Sequence, residues 1–227
     1  MASAGAKTRA VAAEVVDAVV SGGQSLDAAI TELELSLPQG DRSLLRMLSY
    51  GVVRNNFRLQ EWIDELVSRP FRKRDRVVNA LLAVGLFQLC DTRIPDHAAV
   101  SQTVEATRQL RRPKMAGVIN ACLRRFQREG LASQPAKRDE SRWNHPTWLI
   151  ETLRKDWPED ADAILEAGNT RAPMWLRANA SRVTAGEYRG RLAAAGIEST
   201  LLDGVPDALQ LADPGAATLT GAAGAAE

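Results

Sequence analysis

The sequence predicts a mainly α protein: a bundle of about seven helices over residues 1–130, followed by the beginning of a small α/β domain of βαββ order. Three observations predict it. Apolar residues recur at helical spacing through the first 130 positions, and no strand pattern interrupts them. One segment, Val77 to Leu89, is apolar around nearly its whole circumference, as a helix wrapped by others must be. Beyond Ser141 the composition changes: Trp143, Trp148, Trp157 and Trp175 are four of the five tryptophans, and short alternating runs appear.

Val11, Ala12, Val15, Val16, Val19 and Val20 form the inner face of a first helix that Gly22-Gly23 stops. Ser25 is placed to N-cap a second, carrying Leu26, Ile30, Leu33 and Leu37. After the turn Pro38-Gln39-Gly40, Asp41 is expected to cap a third helix through Leu44, Leu45, Leu48 and Val52. A fourth runs from about Phe57 on Leu59, Trp62, Ile63, Leu66 and Val67. The apolar fifth helix lies between Asp75 and Cys90, and Arg93-Ile94-Pro95-Asp96 breaks the chain before a sixth from about Ala98 to Leu110. Pro113 suits the first turn of a seventh, lined by Met115, Val118, Ile119, Cys122, Leu123 and Phe126 and ended by Gly130.

Residues 131–142 are polar and read as a linker, 143–213 as a partial α/β domain, and 214–227 as a Gly/Ala-rich tail. Within the partial domain, Thr147 to Asp156 and Asp160 to Ala167 are expected as short helices. Met174 to Asn179, Ile197 to Leu202 and Ala208 to Ala212 are strand candidates, and Thr184-Ala185-Gly186-Glu187 is a capping box opening the helix between the first two. Its strands have edges and an apolar face that only further chain would cover. Trp148 and Trp175, flanked by leucine, read as domain-interface anchors rather than base-stacking platforms.

The chain has 227 residues, 45% hydrophobic and 25% charged, which excludes a wholly disordered polymer. No run of about 18 apolar residues occurs, so no membrane partner is expected. Two cysteines, Cys90 and Cys122, cannot staple a fold of this size, and the expected location is the reducing cytoplasm. His97 and His145 share no ligand spacing with them, which speaks against zinc. The net charge of +1 conceals an uneven distribution: residues 42–128 carry 17 Lys+Arg against 7 Asp+Glu. Arginine supplies 24 of the 29 cations, and its planar fork suits phosphate oxygens.

The cations cluster. Arg69, Arg72, Lys73 and Arg74 crowd one interhelical loop around Phe71, and Arg111, Arg112 and Lys114 form the next basic turn. Arg124 and Arg125 lie away from the apolar face of the seventh helix, Lys7 and Arg9 on the first, and Arg171 and Arg177 in the second half. All are candidate RNA contacts, with a merely solvated surface or ion pairing as the competing reading. Phe71 is read as a core residue in preference to a base-stacking platform.

Four stretches carry a resemblance: Leu48-Ser49-Tyr50-Gly51-Val52-Val53-Arg54, Gly85-Leu86-Phe87-Gln88-Leu89, Arg93-Ile94-Pro95-Asp96-His97-Ala98-Ala99-Val100, and Val118-Ile119-Asn120-Ala121-Cys122-Leu123-Arg124-Arg125-Phe126. In this order and separation the first 130 residues resemble the NusB-type helical domain. The chain continues through His145-Pro146-Thr147-Trp148-Leu149 and Asn169-Thr170-Arg171-Ala172-Pro173-Met174-Trp175-Leu176-Arg177-Ala178-Asn179. That continuation is similar to the segment before the catalytic domain of the Sun/Fmu-type (RsmB) methyltransferases.

The resemblance implies an RNA-binding front portion of an enzyme that makes 5-methylcytosine in small-subunit rRNA. It implies S-adenosylmethionine as cofactor of the complete family, bound through a Gly-rich turn after a strand, and a cysteine nucleophile following proline or threonine. Neither feature occurs in this sequence, so no cofactor is expected in this chain. Cys90 follows Leu89, Cys122 follows Ala121, and both lie on apolar helix faces as core residues do. The expected partners are RNA, small-subunit rRNA in particular, with a ribosomal protein or a separate catalytic domain as further candidates. The alternative is a stand-alone NusB-type antitermination factor, which would end near residue 130. The chain is therefore read as truncated, split or a fragment, and inactive alone.

Overall fold

The computed structural model describes residues 4–170 and 172–213, which hold eleven α-helices and three short strands. The chain divides into two compact units after Asn169. In the first unit the helices are α1 (Ala4–Val20), α2 (Leu26–Leu33), α3 (Gln39–Arg54), α4 (Asn56–Leu66), α5 (Arg76–Asp91), α6 (Asp96–Gln109), α7 (Ala116–Glu129), α8 (Asp139–Trp143), α9 (Thr147–Asp156) and α10 (Ala161–Asn169). The seven-helix bundle stands as its hydrophobic periodicity predicts.

Helix α5 is its axis. Every residue from Ala80 to Gln88 is buried, and α1, α3, α4, α6 and α7 all pack on it. Fully buried Leu81, Leu82 and Leu86 are each worth roughly 1.5–3 kcal/mol of transfer free energy. Two glycines set how closely the neighbours approach. A Cβ on Gly51 of α3 would lie 2.0 Å from Phe87 Cζ, and one on Gly85 would lie 2.9 Å from Leu123 Cδ2. Both belong to the stretches that carry the resemblance, and both are explained by helix contact.

The expected caps divide. Ser25 does cap α2, its hydroxyl accepting from the Ala28 N–H. Asp41 does not cap α3, because that helix starts at Gln39 behind Pro38 and leaves Asp41 within the first turn. There its charge still complements the helix dipole.

The expected linker at 131–142 is a folded strap. Leu131 is buried in the bundle core, and Arg58 donates to the Ala132 carbonyl at 3.1 Å. Buried Glu61 of α4 accepts from the Lys137 and Arg138 backbone N–H groups at 3.0 and 2.9 Å. Lys137 pairs with Glu65 and Arg138 with Asp64, at 2.7 and 3.0 Å. Asn144, in the left-handed region at φ 52°, accepts from the Arg58 N–H in the first turn of α4. A polar composition reads as a linker, but here Lys137, Arg138 and Ser141 find partners on α4, and Gln134 and Asp139 on neighbouring helices. Consequently α8, α9 and α10 belong to the first unit, where Trp143, Ile150 and Leu165 form their own small core.

The second unit holds β1 (Trp175–Arg177), α11 (Ala185–Ala194), β2 (Ser199–Leu201) and β3 (Ala208–Leu211). The sheet is antiparallel in the order β1-β3-β2, with Leu176 opposite Leu209 and Leu201 opposite Leu209. Helix α11 opens on the expected capping box, Thr184 and Glu187 bonding reciprocally. Ala178, Leu192, Ile197, Leu209 and Leu211 make its core. Of the four late tryptophans only Trp143 is buried; Trp148, Trp157 and Trp175 are exposed. The expected tail 214–227 lies outside the described residues.

Candidate nucleic-acid interface

Two basic segments distant in sequence meet beside the N-terminus of α5. The loop after α4 carries Arg69, Arg72, Lys73 and Arg74, all exposed, while Phe71 packs half-buried against the core. This is the packing role expected for Phe71, and the part of the ring left uncovered lines a cleft beside the loop. The loop ends in a single 3-10 turn, Lys73–Asp75, whose Asp75 is buried.

The other segment is the end of α6. There the Arg112 N–H donates to the Thr107 carbonyl at 2.7 Å and the Arg111 N–H to the Arg108 carbonyl at 3.0 Å. This is a Schellman closure, and it puts Arg111 in the left-handed region at φ 56°, a position that favours glycine.

Asp75 joins the two. Its carboxylate accepts from Arg112 Nε at 2.8 Å and from Arg74 Nε at 3.4 Å, while Arg112 Nη2 donates to the Arg74 carbonyl at 3.0 Å. Arg74, Arg111, Arg112 and Lys114, with Asp75, Pro113 and Met115, line a cleft of about 560 Å³. Of the four cations that line the cleft two bond to its one carboxylate, and Arg112 is held in place between Asp75 and the Arg74 carbonyl. Such a cleft suits a phosphate oxygen better than four independent side chains would, because little rotamer freedom is left to lose.

The other sequence candidates fare differently. Lys7 is exposed on α1 and donates to the Ser36 carbonyl. Arg9 is buried, contrary to expectation: its Nε donates to Gln88 Oε1 at 2.7 Å and its Nη1 to the Gly5 carbonyl at 2.8 Å. Gln88 in turn donates to Thr103, so Arg9 ties α1 to α5 and α6. Burial lowers its pKa from the ordinary guanidinium value. The first-helix spacing placed it among cations, but the same spacing also put it on the inner face.

Arg125 is held by Glu129 at 2.9 Å and by the Glu65 carbonyl at 3.1 Å, whereas Arg124 is exposed. Arg177 is exposed on β1, in the second unit. Arg171 lies outside the described residues.

Sequence reasoning missed Asp75. A lone acid ending a basic run is its only local signal, and its main partner lies 37 residues away. It also missed Arg76, which pairs with Asp17 of α1 at 2.9 Å, and Arg58, whose guanidinium lies 4.6 Å from the Trp62 ring.

The described residues also bear on catalysis. Burial, and secondarily Asp91, pushes the Cys90 thiol up to about 12, and burial raises that of Cys122. A thiol so raised is a poor nucleophile at neutral pH. No cluster of metal-ligating side chains and no helix long and apolar enough to cross a membrane occurs among the described residues. Among the described residues the sheet is antiparallel, and no Gly-rich turn leads from one of its strands into a helix.

Bundle and cleft together define a helical module with a basic cleft, carried in one chain with a small antiparallel α/β unit. The chain belongs to the NusB family, whose model matches residues 6–128, more than half of its length. Residues 145–218 match the ferredoxin-like domain of the RsmF/B-like methyltransferases. The chain is 41% identical over 208 residues to the ribosomal RNA small subunit methyltransferase B of Klebsiella pneumoniae subsp. pneumoniae, covering 91% of this chain and 48% of that protein. The Vibrio cholerae serotype O1 protein of the same name is also 41% identical, with the same coverage, and that of Escherichia coli O7:K1 is 40% identical. The chain thus spans about half the length of the curated relatives it matches. The crystal structure of PH0851 shares the fold at a TM-score of 0.57 and 15% identity, covering 93% of this chain and 51% of that one.

Proposed function

We propose that this chain is the RNA-binding portion of a small-subunit rRNA cytosine-C5 methyltransferase, and that its helical unit holds RNA through the cleft organised by Asp75. The observation that carries the reading is the gathering of Arg74, Arg111, Arg112 and Lys114 around one cleft, in which Arg112 and Arg74 bond to Asp75. Arg69, Arg72 and Lys73 extend the same surface, and Lys7, Arg124 and Arg177 are secondary contacts. The relatives' name supports rRNA of the small subunit as the RNA, and an enzyme acting on that RNA would work in the cytoplasm. The match to the ferredoxin-like domain favours this reading over a stand-alone antitermination factor.

RNA binding by the full chain, followed by fluorescence anisotropy across a salt series, tests the reading. If about four phosphates are contacted, log K falls with log salt at a slope of roughly −3 for a single strand. Replacing Arg72, Lys73 and Arg74 together by alanine flattens that slope. An affinity indifferent to salt and to the triple substitution makes the basic surface a solvated face only. In the same reading, S-adenosylmethionine binds in a part of the enzyme other than these residues, so calorimetric titration of this chain with the cofactor is blank. Stoichiometric binding would overturn that part.

A further inference from the structure

The basic cleft does not stand alone. Arg74 also lines a second cleft, of about 570 Å³, with Asp17, Lys73, Arg76 and Val77. Arg76 in turn lines a third, of about 430 Å³, with Ser21, Gln60, Ile63, Asp64, Val67, Ser68, Pro70, Phe71 and Asn79. With Arg74 and Arg76 as shared walls, the three lie side by side as a track along the loop between α4 and α5. Its two ends differ in chemistry. One end is lined by Arg74, Arg111, Arg112 and Lys114. The other is walled by Phe71, Pro70, Ile63 and Val67, with amide groups among them.

Those amides have a fixed polarity. The Asp64 carboxylate accepts from Gln60 Nε2 at 2.8 Å, and Gln60 Oε1 accepts from Asn79 Nδ2 at 2.9 Å. A carboxylate at neutral pH can only accept, so it sets the orientation of Gln60, and Gln60 sets that of Asn79. Asn79 Oδ1 is left to accept from outside the chain. The acids on the track are already matched, Asp17 by Arg76 at 2.9 Å and Asp64 by Arg138 at 3.0 Å, so neither repels an incoming phosphate as a bare charge would.

We propose that the track takes single-stranded RNA, with phosphates on Lys73, Arg74 and Arg112 and one unstacked base in the cleft of Phe71, Gln60 and Asn79. The inference rests on the RNA-binding reading above and deepens it. A base offers what the cleft lacks: a flat apolar face for the Phe71 and Pro70 wall, and ring-edge donors for Asn79 Oδ1. A base paired and stacked in a duplex presents neither, whereas the cationic end alone holds duplex and single strand alike. The cleft is therefore the part that selects between them.

The test uses the full chain, a labelled single-stranded oligoribonucleotide of about 12 nucleotides and the blunt duplex of the same sequence. The single strand should bind at least about tenfold more tightly than the duplex, since stacking one base contributes on the order of that factor. Ser68→Trp, at the exposed rim, plugs the cleft without touching the bundle core. It should cut single-strand affinity about tenfold and leave the salt slope unchanged, because the slope reports phosphates and the cleft holds none. Asn79→Ala should give a smaller loss with the same unchanged slope. If Ser68→Trp does not fold, the unaltered chain decides: a strand carrying 2-aminopurine at each position in turn should brighten at one position on binding. Equal binding of strand and duplex with no effect of the plug, or no brightening at any position, overturns this inference and leaves the RNA reading standing. No binding of either RNA overturns both.

Discussion

The carboxylate of Asp75 holds the guanidinium of Arg112, 37 residues further along the chain, at 2.8 Å, and that bond closes the basic cleft. Arg112 uses its fork in two directions, Nε to Asp75 and Nη2 to the Arg74 carbonyl. Lysine carries the same charge but no such fork. Arg112→Lys should therefore lower stability by about 1 kcal/mol, read by chemical denaturation. It should also weaken RNA binding with no change in salt slope. An RNA affinity unchanged by Arg112→Lys would show that only the charge counts, and a slope reduced to the level of Arg112→Ala would show that the lysine no longer reaches the phosphate.

Arg111 sits in the left-handed region at the close of α6, where a side chain is strained. Arg111→Gly should raise stability by about 1 kcal/mol, seen as a higher Tm. The same change removes a cation from the cleft, so the salt slope for single-stranded RNA should shrink by about 0.7. Stability and binding then move in opposite directions. A stability loss would mean that the arginine makes a contact worth more than its backbone strain.

Burial alone would raise the Glu61 carboxyl. The backbone N–H groups of Lys137 and Arg138, with the Arg138 charge, outweigh burial and hold it below the usual carboxylate range. A carboxylate depressed on folding contributes stability that is complete above its unfolded pKa and lost as pH falls through the folded value. Amide exchange at 137 and 138 should accordingly stay slow at neutral pH and accelerate, relative to the core of α5, as the solution is acidified below about pH 4. Glu61→Gln should loosen the strap already at pH 7. Exchange at these amides that tracks α5 at every pH would show the strap to be held by Leu131 and Asn144 instead.

How much of this was legible in the sequence follows from the range of each interaction. Helix α5 was legible because an apolar circumference is a local pattern, and Ser25 and Thr184 because a cap acts within its own first turn. The strap was not. Residues 131–142 have the polarity of solvated chain, and what orders them is Glu61, Asp64 and Glu65, more than 70 residues earlier. The same holds at the site. The cations of the two loops stand out as clusters, but Asp75 and the Gln60–Asn79 pair become significant only when the fold brings them together. Arg9 shows the reverse error, since a cation at the edge of an apolar face can be turned inward by one neutral partner, Gln88.

The glycines at helix crossings give the sharpest test of the packing itself. Gly51 of α3 faces the ring edge of Phe87, where an added Cβ would sit 2.0 Å from Cζ and 2.4 Å from Cε1. The ring cannot swing away freely, because α5 is enclosed by helices on every side. Gly51→Ala should thus cost on the order of 3 kcal/mol, near the upper end for an overpacked core. Gly117 of α7 is the control: it is exposed, and its Cβ would meet nothing within 4 Å. Gly117→Ala should stabilise by about 0.5–1 kcal/mol through helix propensity alone. Equilibrium denaturation of the two variants reads both signs at once. If Gly51→Ala is tolerated, Phe87 has a second position, and α3 is free to shift along α5. If the double variant Gly51→Ala with Phe87→Leu recovers stability, the clash is with the ring and not with the α5 backbone.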